Sequence, residues 1–231
     1  MDGASKRNGK PDCLSSGVAA IFHDDGNLLL RSRVEQQSTN QRGELNGLIE
    51  ALYYARKYIV DKDDKDVIII SDSQYLCDTI TKNWLDKWVA QDWYGSTGPI
   101  KNQDLWETAL ELLVEIRAQG GDVYMNWTKG HLIAYTERNI NIALEEDSQG
   151  YTLYDKITTL ANRPSEYMRI ATAFNKHRIE QDYTSLPVDL AVEWVIYNTV
   201  ADCVASYMVK KVDEACRKVN EAASIEQLSD K

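Results

Sequence analysis

The run Val67-Ile68-Ile69-Ile70 restricts the fold more than any other part of the chain. Consecutive β-branched residues are stiff at χ1 and suit a pleated strand. With no polar alternation, such a strand is expected to be covered on both faces. Ser71-Asp72-Ser73 follows at once. The carboxyl end of a central strand is where open α/β sheets place their sites, so Asp72 is the first candidate functional residue.

The surrounding pattern supports a mixed α/β domain. Gly17–His23 and Leu28–Val34 are apolar runs separated by Asp24-Asp25-Gly26-Asn27, a hairpin signal. Leu45, Leu48, Ile49, Leu52 and Ile59 recur near the helical period. Gln74 to about Trp93 and Asn102 to Ala118 read as helices, Val123–Thr128 as a strand, and Tyr135–Glu146 as a helix. Strand-like runs then cease. Val192, Val195, Ile196, Val200, Val204, Met208, Val212 and Val219 share one side of a long helix starting near Leu186, with Pro187 in its first turn. We therefore expect a domain over residues 1–148 and a helical extension over 149–231. The extension packs on its own domain, or serves self-association or a protein partner.

The 231 residues are 43% hydrophobic and 27% charged, as in ordinary globular proteins. No apolar run reaches the roughly 20 residues of a membrane span, so no membrane contact is expected. Cys13, Cys77, Cys203 and Cys216 form no CxxC pair, and a reducing, cytoplasmic setting is the expectation. A net charge of −10 weighs mildly against a nucleic-acid binder, whose phosphate contacts come from Lys and Arg.

Glu44 borders the apolar helix face just before Leu45 and can point toward Asp72. Two carboxylates held together repel unless a proton or cation intervenes. Oxygen donors without a His or Cys cluster suit Mg²⁺ or Mn²⁺. On spacing alone the same acids read more often as capping or solvated groups.

The chain resembles type 1 ribonuclease H at five places in order. These are Asp2-Gly3-Ala4-Ser5, Gln41-Arg42-Gly43-Glu44-Leu45, Ser71-Asp72-Ser73-Gln74-Tyr75, the Trp84/Trp88/Trp93 region running into Pro99–Trp106, and Trp127-Thr128-Lys129-Gly130-His131. The resemblance implies a mixed five-stranded sheet flanked by helices. It also implies metal-dependent endonucleolytic hydrolysis of the RNA strand of RNA/DNA hybrids, leaving 5′-phosphate products. Asp2, Glu44 and Asp72 would be metal-binding carboxylates. His131 would assist proton transfer or product release, as imidazoles do near neutral pH. Asn8, Thr39, Asn40, Gln41 and Gln74 would read the hybrid across its minor groove, with Trp93 against a sugar. Thr39 and Asn40 also suit helix capping, and Trp84 and Trp88 suit packing.

Three departures follow. The family's fourth acidic position falls at Asn141, whose amide oxygen carries no charge; weakened metal binding is expected there, or hybrid binding without cleavage. Asp86 and Asp92 offset Lys82 and Lys87 in the tryptophan region, so charge from Lys210, Lys211, Arg217 and Lys218 would have to compensate. A strand precedes the first acidic residue in that family, whereas only Met1 does so here. We expect the natural chain to continue upstream; otherwise neighbouring strands keep unpaired backbone groups.

Overall fold

A computed structural model of the chain describes residues 1–22, 28–132, 138, 140, 141, 144, 164–181 and 183–229. Strands β1 (Asp2–Lys6), β2 (Leu14–Phe22) and β3 (Leu28–Gln36) form an antiparallel ladder in that order. Strands β4 (Val67–Ser71) and β7 (Val123–Trp127) form a parallel pair. A small antiparallel pair, β5 (Tyr94–Gly95) and β6 (Gly98–Pro99), lies between them in sequence. The expected five principal strands are present, and the fold is α/β. The hairpin turn itself lies outside the described residues.

The two ladders meet at the chain's first residue, where the Met1 ammonium donates to the Ile70 carbonyl at 2.7 Å. β1 covers β2 only from Leu14 to Val18, while β3 follows β2 to Phe22. Past Val18 a groove opens between β2 and β4, lined by Ala19, Ile21, Ala55, Ile69 and Trp194.

Helices cover both faces. On one, α1 (Asn40–Tyr58) and α4 (Gln103–Ala118) share a core with β4, β7 and α2 (Gln74–Thr81). Leu45, Leu48, Ile49 and Leu52 of α1 are almost completely buried, each worth about 1.5–3 kcal/mol. On the other face, α5 (Pro164–Glu180) and α6 (Val188–Ser229) pack across Val18 and Ile70. The helical stretch expected as an extension thus shares a core with the sheet, although Val219 is exposed.

Two-sided burial of β4 holds at its end, where Ile69 faces the first core and Ile70 the second. Ile68 departs from it, being 61% exposed. It alternates onto the same face as Ile70, but lines the groove rather than the second core. The long helix expected from Gln74 to about Trp93 is two helices, α2 and α3 (Trp84–Ala90), broken where Asn83 turns left-handed at φ 53°. Asn tolerates that region better than most residues.

Candidate active site

Three elements bring carboxylates to one end of the sheet. Asp2 opens β1, Asp72 follows β4, and Glu44 lies in the first turns of α1. β1 and α1 approach so closely that a Cβ on Gly3 would stand 2.1 Å from the Glu44 backbone nitrogen. Only glycine fits, which explains how Glu44 reaches the strand ends.

Asp2 is buried; its Oδ1 accepts from the Gly3 N–H at 2.6 Å. Burial pushes its pKa well above the carboxylate range, and the charges of Asp72 and Asp202 push it further. Asp72 is raised by burial, opposed by the Met1 ammonium and His131. Glu44 is also raised by burial, opposed by a hydrogen bond with Ser73 and reinforced by Asp72. Its Oε1 accepts from the Asn40 side chain at 3.0 Å. The three acids therefore share one field, which a cation or bound protons would relieve.

The loop after β7 closes against Asp72. The Trp127 indole donates to the Asp72 carbonyl at 3.1 Å, and a Cβ on Gly130 would meet the Asp72 Oδ2 at 2.2 Å. His131 is exposed, at φ 56°, with its Nδ1 3.6 Å from the Asp202 Oδ2 of α6. Arg178 of α5 steadies the same loop. Its guanidinium, buried against Phe174, Tyr183 and Trp194, donates to the Trp127 carbonyl at 3.0 Å and the Thr184 carbonyl at 2.9 Å.

A model of the RNase H family matches residues 1–142. The chain belongs to the ribonuclease H family. It is similar to the ribonuclease H of Maricaulis maris, at 35% identity over 131 residues, 56% of this chain and 78% of that enzyme. It is also similar to the ribonuclease H of Actinobacillus succinogenes, at 38% over 96 residues, covering 41% of this chain and only 54% of that enzyme. A solved type 1 ribonuclease H with the type 2 active-site motif, LC9-RNase H1, shares 25% identity with a TM-score of 0.43, over 56% of this chain and 61% of that one.

Within this ribonuclease H fold, the residues expected to read a hybrid divide. Asn8 Oδ1 accepts from the Asn40 N–H at 3.2 Å, so Asn8, Asn40 and Glu44 form a connected polar edge. Thr39 caps α1, accepting from the Arg42 N–H at 3.3 Å. Gln41 and Gln74 are exposed, and the Gln74 amide reaches Gln181 at 3.5 Å. Trp93 is partly buried against the first core, its backbone N–H bonded to the Trp88 carbonyl at 2.7 Å. Trp84 and Trp88 pack at 6.4 Å, in line with the packing role expected of them.

Asn141 is helical and exposed. The carboxylate that acts on Asp2 together with Asp72 is Asp202, which the sequence reading did not single out. A signal existed: Asn198 and Asp202 interrupt the apolar stripe of α6 at helical spacing. Among the described residues, no three His, Cys, Asp or Glu side chains stand in ligating positions around one point. The acids are coupled by their fields rather than gathered into a closed shell.

Of the basic residues expected to compensate for the acidic composition, Arg217 is paired with Asp213. Arg42 is held between Glu35 and Asp104, both at 2.7 Å. Among the described residues no helix is long and apolar enough to cross a membrane.

Proposed function

We propose that this protein is a Mg²⁺- or Mn²⁺-dependent endonuclease that hydrolyses the RNA strand of RNA/DNA hybrids. The observation that carries the reading is the convergence of Asp2, Glu44 and Asp72 from three elements, with burial raising all three and the Asp72 charge raising Asp2 and Glu44 further. An oxygen-only, anionic donor set fits a hard divalent cation. Asp2, Glu44 and Asp72 would hold the metal, with Asp202, rather than Asn141, supplying the fourth carboxylate. Bound there, divalent ions supply an activated water and stabilise the leaving oxygen.

The protein's own groups do the rest. Asn8, Asn40, Gln41 and Gln74 offer donors and acceptors for 2′-hydroxyls and phosphates. Gly130 leaves room for the Asp72 carboxylate, and Arg178 fixes the loop that carries His131. His131, exposed beside Asp202, is placed to pass a proton between the site and solvent.

A second reading, hybrid binding without cleavage, draws on the open arrangement of the acids. Incubating the chain with duplex RNA, duplex DNA and RNA/DNA hybrid separates the two. Cutting of hybrid RNA alone supports the nuclease; retention without cutting supports the binding module.

A further inference from the structure

Asn198 of α6 is buried to 3% exposure, one turn before Asp202. Its Nδ2 faces the Asp2 Oδ2 at 3.5 Å, a long contact, and its amide draws the Asp72 pKa down. Its Oδ1 is buried with no hydrogen-bond partner among the described residues. An amide whose donor faces a buried carboxylate and whose acceptor is orphaned is ill suited to a purely packing role, since buried polar atoms are normally satisfied. The stripe around it, Val195, Ala201 and Ala205, is apolar and closely buried.

We propose that Asn198 is a positioning residue for the carboxylate site. Its donor end orients the Asp2 carboxylate within the site. Its acceptor end takes a hydrogen bond from water that a divalent ion brings in. The inference rests on the metal-dependent reading above and adds α6 to the machinery that sets metal affinity. Partners of ligand side chains act in this way because they fix ligand orientation.

The test is calorimetric titration of Mn²⁺ into the chelator-stripped full chain, together with melting curves in chelator and in Mn²⁺. Asn198→Ala is expected to bind Mn²⁺ about 10-fold more weakly while keeping a cooperative melting transition in chelator. Asn198→Asp keeps the size but replaces the donor with a third repelling charge. It is expected to melt below wild type in chelator and to recover in Mn²⁺, an effect a packing role would not produce. Wild-type affinity in Asn198→Ala, or a melting deficit in Asn198→Asp that Mn²⁺ leaves untouched, overturns the proposal while leaving the nuclease reading intact. A wild-type chain that takes up no Mn²⁺ overturns both.

Discussion

The Asp202 carboxylate of α6 lies 3.6 Å from the His131 imidazole on the loop after β7. A helix distant in sequence thereby brings a charge to the edge of the site, where it raises the Asp2 pKa. Asp202→Asn is expected to reduce hybrid cleavage by about 10-fold or more, the scale of a lost charged group in a polar site. Asn141→Asp should leave the rate within about 2-fold, since Asn141 is exposed and surface changes are usually mild. Initial rates on a labelled hybrid check both, and a large gain in Asn141→Asp would return the fourth position to Asn141.

Two glycines separate stability from activity. Gly3→Ala sets a methyl group against the backbone of Gly43 and Glu44, which cannot move without parting β1 from α1. A loss of about 2–3 kcal/mol is expected in urea unfolding. Gly130→Ala meets chiefly the Asp72 side chain, which can rotate. Its melting temperature should stay near wild type while cleavage falls sharply.

Arg178→Met keeps the apolar stem and removes the guanidinium, leaving the Trp127 and Thr184 carbonyls without that donor. The expected cost is about 2–3 kcal/mol, measured by denaturant unfolding. Loosening of the His131 loop should lower cleavage as well.

How much of this was legible in the sequence depended on the range of the interactions. The hairpin, α1 and the end of β4 followed from local periodicity. The families of contacts around Glu44 and Asp72 followed from motifs adjoining those elements. The break at Asn83 depends on one residue's backbone, which composition does not reveal. Asp202 enters the site only because α6 packs across β1 and β2, a long-range contact. Its trace was a buried Asn198 and a charge within an otherwise apolar stripe. Trp93, expected beside a sugar, is partly buried against the first core, since a large indole gains most by leaving water.

Stability should respond to metal in a pH-dependent way. Asp2, Glu44 and Asp72 have raised pKa values when folded, so the folded chain keeps protons that the unfolded chain has released. Their contribution is complete below the ordinary carboxylate pKa of about 4 and is lost as pH rises through the raised values. The Met1 ammonium, lowered by burial, works oppositely, gaining stability as pH rises through its lowered value toward about 8. Mn²⁺ bound as proposed would take over from the protons on the acids. Its stabilising shift in melting temperature should therefore be larger at pH 8 than at pH 5, and equal shifts would count against a carboxylate site.

The most direct test of the account is cleavage of an end-labelled RNA/DNA hybrid by the full chain, with Mg²⁺ and separately with Mn²⁺, beside an Asp72→Asn variant. The account predicts cutting confined to the RNA strand, 5′-phosphate products, and loss of at least about 100-fold in the variant. A folded chain that binds the hybrid and leaves the RNA intact with both metals would contradict it.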